Sequence, residues 1–321
     1  MSQKAKLVVL VLLIIAIAAF WAYRVKQEKQ LEEEGITIGG GNADITKTYN
    51  RIISLAPSTT EMLFALGAGD KVIGVSEFCN YPEEAKAKPK MGGLMNPNYE
   101  AIVAAKPDVV IVFNEMLQPT NKFKSLNIET LVLEHSTVQD IFQSIQDIGR
   151  CCGASEQAKK IFKGLTSKMT AISDKYANEP YPKVLVIVGH DISQDTTKPP
   201  MNIKAAGDEF YNQMISYAGG QNVYAGTAPF PTINSESIIS MNPEVIIDLV
   251  PADKNPIDSN AIIKQWKNLS QIDAVKNNRI YVFTEDYMTI PGPRVVMALE
   301  KLAAAIKPEL TADANGRPKG N

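Results

Sequence analysis

Two patterns of apolar positions alternate along most of this chain. Short continuous runs at 51–55, 72–75, 109–113, 130–133, 184–188, 245–249 and 280–283 have the length and residue types of buried strands. Between them, apolar residues return every three or four positions, the period of an amphipathic helix, at 61–66, 98–105, 123–126, 138–149, 210–217, 235–240, 262–269 and 294–306. Strands alternating with helices predict an α/β fold built on parallel sheet layers. The longest helical stretch runs from 155 to about 179, with Ala158, Ile161, Phe162, Leu165, Met169, Ile172 and Tyr176 on one face. Gly153 can stop the preceding helix, Ser155 is placed to be the N-cap, Glu156 suits the positive end of the dipole, and Pro180 and Pro182 bar continuation. A helix of roughly 24 residues is about 36 Å long, enough to brace two lobes. The same pattern would also fit a long surface helix of a single domain.

An internal repeat favours two lobes. Residues 100–111 (Glu-Ala-Ile-Val-Ala-Ala-Lys-Pro-Asp-Val-Val-Ile) align without a gap on 236–247 (Glu-Ser-Ile-Ile-Ser-Met-Asn-Pro-Glu-Val-Ile-Ile). Upstream, 62–74 is echoed by 214–226, each a helix, a glycine stop and a short strand. Two copies are too few for a solenoid and suit two equivalent lobes facing one another across a cleft. The predicted organisation is an N-terminal segment 1–25, a tether 26–47, a first α/β lobe 48–153, an interlobe helix 154–180, a second α/β lobe 181–310 and a disordered tail 311–321.

Residues 7–23 form a continuous apolar run between Lys4 and Lys6 on one side and Arg24 and Lys26 on the other. One reading is a cleavable signal peptide, with Ala16-Ile17-Ala18 as the cleavage site. The other is an uncleaved anchor ending in Trp21 and Tyr23, aromatics that favour the membrane interface. The run continues past the Ala-x-Ala site, which favours the anchor, and either reading exports the rest of the chain. Glycines 35, 39, 40 and 41 mark the following stretch as a solvated tether.

Composition narrows the function. The chain has 321 residues and a formal net charge of −2, with no basic run outside the N-terminal segment, so a nucleic-acid partner is not expected. Only two histidines occur, which excludes metal centres built on three. Asp191 and Asp195 near His190 make a poor metal set, and no Walker loop or Gly-x-Ser-x-Gly elbow is present. The three cysteines, Cys79, Cys151 and Cys152, read as small buried residues; a bond from Cys79 to one of the others is the alternative. In parallel sheets ligands bind beyond the carboxyl ends of the strands, here the loops 57–60, 77–81 and 114–118. Phe78 and Tyr81 are therefore candidate wall residues, with packing under a loop as the plainer alternative. His190, at a strand end, reads equally as a hydrogen-bonded loop histidine. Glu100 and Glu236 sit in the first turn of their helices, where a carboxylate is a routine dipole partner. The repeat gives them a second meaning, because it places one glutamate on each lobe, as docking on a two-fold partner requires.

With these residues in view, the chain resembles the class III solute-binding proteins of ABC importers, the group that binds cobalamin, ferric siderophores and haem. The resemblance spans about 51–307. Its carriers are Arg-Ile-Ile-Ser-Leu-Ala-Pro-Ser-Thr-Thr-Glu at 51–61, Leu-Gly-Ala-Gly-Asp at 66–70, Tyr81-Pro82, Asn98-Tyr-Glu-x-Ile-x-x-x-Lys-Pro-Asp108 and Pro291-Gly-Pro-Arg294. It implies two Rossmann-like lobes joined by one long helix, with the ligand in the cleft between them, and a protein that moves little on binding. It implies no catalysis, no resident cofactor or metal, and a monomer working with a permease dimer and its ATPase subunits. Glu100 and Glu236 fall on the family's docking glutamates, which meet arginines on the two membrane subunits.

Within the family the chain looks most like the cobalamin-binding branch, which lines the cleft with aromatics. Phe78 stands where that branch has a tyrosine, Phe230 where it has a tryptophan, and Tyr287 beside Asp286 where it has a tryptophan next to an aspartate. Arg294 matches a cleft arginine. Leu94 departs from the branch, standing where the cobalamin binder has a tryptophan. Tyr81 and His190 keep a haem ligand open. The expectation is an exported, membrane-tethered binding protein that carries a corrinoid, with a ferric siderophore or haem as runner-up. A tethered metal chelatase and a sensor module are the readings from other classes.

Overall fold

All seven short apolar runs between 51 and 283 contain a strand in the computed structural model, which describes residues 41–114, 116–176, 179–191, 195–250 and 258–308. In the first lobe β1 (Ile52–Ser54) is followed by α1 (Pro57–Ala65), β2 (Val72–Val75), the short α2 (Glu83–Lys86), α3 (Tyr99–Ala105), β3 (Val109–Phe113), α4 (Leu117–Ser125), β4 (Thr130–Leu133) and α5 (Val138–Cys151). The four strands make one parallel sheet in the order β2-β1-β3-β4. Helix α1 starts earlier than the pattern of its residues predicts. Pro57 occupies its first turn, where a missing N–H costs nothing, so 57–60 is helix and not turn.

Helix α6 (Ser155–Tyr176) follows and is 22 residues long. It buries Ala158, Met169 and Tyr176 and half-buries Ile161, Phe162, Leu165 and Ile172, the face read from the sequence. Ser155 is its first helical residue and not its cap: the carbonyl of Ala154 already accepts from Ala158 N at 3.0 Å.

The second lobe runs through β5 (Lys183–Asp191), β6 (Met201–Ala205), α7 (Glu209–Tyr217), β7 (Gln221–Asn222), β8 (Thr232–Ile233), α8 (Ser235–Met241), β9 (Val245–Leu249), α9 (Ser259–Trp266), α10 (Asp273–Lys276), β10 (Ile280–Phe283) and α11 (Val295–Ile306). Its sheet has the order β10-β9-β5-β6-β8, with β7 beside β5. It is mixed, not purely parallel: β6 runs antiparallel to both β5 and β8. Strand β5 continues through Gly189 and His190, because β6 supplies the hydrogen-bonding partner that a chain end would lack. Helix α6 packs on α5 of the first lobe and on α7 and α11 of the second.

The repeat is visible as local geometry. Asn98 and Asn234 cap α3 and α8, accepting from Ala101 N at 3.0 Å and Ser237 N at 2.9 Å. Both helices end on a left-handed residue, Lys106 (φ 46°) and Asn242 (φ 44°), followed by proline. The next residue ties each strand to the centre of its sheet: Asp108 N donates to Arg51 O, and Glu244 N to Lys183 O, each at 2.8 Å. The second echo holds too. Gly67 (φ 76°) and Gly219 (φ 77°) end α1 and α7 in the left-handed region that glycine tolerates best, and the strand after each, β2 and β7, lies parallel to the central one.

Residues 1–40 and 309–321, which hold the apolar run 7–23, most of the tether and the tail, lie outside the described residues. Among the described residues no helix is long and apolar enough to cross a membrane. All three cysteines are free and buried, so the pairing considered for Cys79 is not made.

Candidate functional site

Strand polarity places the site. In the first lobe the carboxyl ends of β3 and β4 lead into Asn114 and into His135-Ser136; Asn114 N donates to Leu133 O at 3.0 Å, holding the two ends level. In the second lobe the end of β6 runs through Gly207 into Asp208, the N-cap of α7, whose carboxylate accepts from Tyr211 N at 3.0 Å. The 227–231 loop is held beside it by Gly207 N to Pro229 O at 2.7 Å and Ala205 N to Pro231 O at 3.0 Å. Between these ends lies a cavity of about 1170 Å³, lined by both lobes. Asn114, His135 and Ser136 form one wall; Asp208, Tyr211 and Phe230 belong to the other, with Thr289 and Pro291 from the loop before α11. Phe230 keeps 48% of its surface exposed, in a loop tied down on both sides by the Pro229 and Pro231 carbonyls. His135 stands edge-on to Phe113, with ring centroids 4.2 Å apart.

Arg294 organises a second cluster where the lobes meet. Its guanidinium donates to Glu61 of α1 (Nε to Oε2 2.9 Å, Nη2 to Oε1 2.5 Å) and to Asp286 (Nη1 to Oδ1 2.8 Å, Nη2 to Oδ2 3.0 Å). The Tyr81 ring lies 4.1 Å from the guanidinium carbon and the Tyr287 ring 5.4 Å from it, both within cation–π range. Burial pushes the Glu61 carboxyl up, and the facing guanidinium pulls it back. Burial works against the charge on Arg294, but the two carboxylates outweigh it and hold the guanidinium protonated. The two-point contact is the geometry of an ionised pair. Burial also raises Asp208, against the opposing pull of Tyr211 N–H and His135.

Of the residues expected to touch a ligand, Phe230 lines the cavity, and Tyr81, Asp286, Tyr287 and Arg294 are brought together at the lobe junction. Phe78 is 61% exposed, next to Gly93. Leu94 is half-buried and packs inward on the core, so it does not replace the expected tryptophan as a freely exposed wall. His190 is corrected. Its side chain is fully buried, with Nε2 2.9 Å from Asp248 Oδ2, an ion-pair distance without the alignment of a full hydrogen bond. Asp248 also accepts from Trp266 Nε1 at 2.7 Å, so His190 belongs to a polar cluster inside the second lobe and does not reach the cleft. Sequence reasoning missed Glu61, His135, Asp208 and Glu209. Extending the strand-end rule to β4 would have found His135. A helix starting at Pro57 would have put Glu61 one turn in. Glu100 and Glu236 are exposed, in the first turns of α3 and α8. Among the described residues no group of three metal-ligating side chains comes together.

Two α/β lobes with a large cavity between them have the layout of a bilobal solute-binding protein. The chain belongs to the periplasmic binding protein family, whose sequence model matches residues 52–287. It is the substrate-binding component of an ABC importer. It is 30% identical over 302 residues to the uncharacterized ABC transporter substrate-binding lipoprotein YvrC of Bacillus subtilis (88% of this chain, 89% of that protein). It is 28% identical over 252 residues to a vitamin B12-binding protein of Vibrio parahaemolyticus (78% and 86%). Among solved structures it is similar to a possible iron-binding periplasmic solute-binding protein of Staphylococcus epidermidis, at 27% identity and a TM-score of 0.66, covering 81% of this chain and 99% of that one.

Proposed function

We propose that this chain is an exported, membrane-tethered binding protein that captures a corrinoid of the cobalamin class between its lobes and hands it to an ABC permease. The observation that carries the reading is the interlobe cavity: about 1170 Å³ is more room than a drug-sized ligand needs and suits a bulky macrocycle. The relative that binds vitamin B12, aligned over most of both chains, supports the same ligand class. Phe230 and Phe78 offer apolar faces to the macrocycle, while Arg294 and Asp286, steadied by Tyr81 and Tyr287, orient its polar rim. The protein makes and breaks no bond; it acts as a monomer, and Glu100 and Glu236 dock the two lobes on the two permease subunits. An iron complex or haem is the second reading, supported by the iron-binding neighbour.

Calorimetric titration of cyanocobalamin into the full chain in mild detergent tests this. The expected result is saturable one-to-one binding at micromolar affinity or better, weakened about tenfold by Phe230→Ala. Flat heats from folded protein, with saturable binding of haem or a ferric siderophore instead, would overturn the corrinoid assignment.

A further inference from the structure

Among the described residues the charge around the cleft is one-sided: Asp208 and Glu209 line the cavity, no described lysine or arginine does, and His135 is the one described basic side chain in its wall. Among the described residues neither carboxylate is paired with a cation of its own lobe: Asp208 accepts from the Tyr211 backbone N–H, and Glu209 from the Gln213 amide at 3.2 Å. The guanidinium at the junction is already committed. Arg294 faces two carboxylates, Glu61 and Asp286, and makes two hydrogen bonds to each. Glu61 is 1% exposed and cannot turn out to water to release it. An anion entering the cavity would therefore meet Asp208 and Glu209 in its wall, while the guanidinium at the lobe junction is already matched by two carboxylates. In a partly enclosed cleft such charges are screened less than on an open surface.

The geometry points to a cleft that selects its ligand by charge, admitting neutral or cationic macrocycles and rejecting those that carry carboxylates. This rests on the reading of the interlobe cavity as the ligand site, and it narrows that reading: amide-rimmed corrinoids fit, whereas haem with its two propionates and citrate- or catecholate-type ferric complexes do not. The acidic pair Asp208 and Glu209 acts as the filter, and Glu61 acts through Arg294 by denying it to anions.

The test is a charge series on one scaffold, titrated into the full chain in detergent. Cyanocobalamin, its monocarboxylate with one side-chain amide hydrolysed, and its aminoethyl-amide derivative differ by one charge each and keep cyanide on cobalt, so metal ligation does not confuse the comparison. The anion is expected to bind at least about tenfold more weakly than the neutral parent at about 50 mM salt, the gap narrowing at about 500 mM. The cation is expected to bind at least as well as the parent. In Asp208→Asn with Glu209→Gln, where asparagine keeps the cap, the gap between the monocarboxylate and the parent, both titrated into the double variant, should shrink to about threefold or less. Equal binding across the series, or a gap that the double variant leaves untouched, overturns the filter while leaving the corrinoid reading intact. If no corrinoid binds, the corrinoid reading fails, and the filter is read on haem against its propionate diamide. Tighter binding of haem than of the diamide, or binding of neither, overturns it.

Discussion

Arg294 and Glu61 are 233 residues apart in sequence, and their side chains close a two-point ion pair between the lobes. Glu61 projects from the buried face of α1, and Arg294 precedes α11, so the pair fixes the end of the second-lobe loop against the first lobe. Gly292 completes the seam: a Cβ there would sit 3.5 Å from Ser58 and 3.6 Å from Glu61 Oε2. Removing one partner of a buried pair leaves the other charged and unmatched, which is the costly case. Glu61→Ala is expected to lower the unfolding free energy by about 3 kcal/mol, read from urea denaturation, since Asp286 still covers part of the guanidinium. A loss below about 0.5 kcal/mol would mean that the pair behaves like a surface bridge and does not brace the junction.

Much of this architecture was legible because the runs and periods are strong. The strands 72–75, 109–113, 130–133, 245–249 and 280–283 fall where the apolar runs place them. What failed was local reading overridden by tertiary contacts. Ser58, Thr59 and Thr60 look like turn residues but are buried in α1, with Thr59 Oγ1 2.6 Å and Thr60 Oγ1 2.8 Å from Ser54 Oγ. Strand β8 has two residues and no period to detect. His190 was misplaced because a glycine before it reads as a strand end, whereas its partners Asp248 and Trp266 lie more than fifty residues on and leave no local trace. Glu100 and Glu236 stand out from other helix-end carboxylates only because the repeat names the position twice.

The cysteines give a direct chemical prediction. Cys79 sits against Thr60 Oγ1 at 3.1 Å and Ser76 Oγ at 3.2 Å. Burial pushes the Cys151 thiol up to about 12 and the Cys152 thiol up to about 11, so neither forms the reactive thiolate near neutral pH. Folded protein is expected to resist iodoacetamide. Protein unfolded without reductant is expected to gain three labels by mass, matching the three cysteines of the chain. A species lighter by two hydrogens and carrying one label would show a disulfide and refute the free-thiol arrangement.

His190 makes stability depend on pH. Burial works to lower its pKa, but the Asp248 carboxylate, helped by the Asp191 carbonyl and carboxylate, raises it on balance above the ordinary value of 6.5. A base that holds its proton more tightly when folded stabilises the fold fully below the unfolded pKa, and that contribution disappears as pH rises through the folded pKa. The stability difference between the native chain and His190→Gln is therefore expected to be larger at about pH 5.5 than at about pH 8.5, measured by denaturant titration at both. A difference that grows with pH would mean the imidazole is held neutral beside Asp248.

Glu100 and Glu236 carry the prediction that bears on delivery. Their surroundings are matched in detail: an asparagine cap, an exposed carboxylate in the first turn, a left-handed exit and a proline. Dipole compensation alone would explain a carboxylate at either helix, and it would be lost equally well by truncating one or both. Docking on a two-fold permease makes a different demand, since each lobe supplies one half of the contact. Charge pairs across such an interface set encounter and register more than they set fold. Glu100→Ala and Glu236→Ala are each expected to reduce ligand uptake in reconstituted vesicles, and the double variant to reduce it by about tenfold or more, with ligand affinity and melting temperature unchanged. Uptake that survives the double change would remove both glutamates from the transporter contact. Loss of stability along with uptake would return them to the ordinary role of helix-end carboxylates.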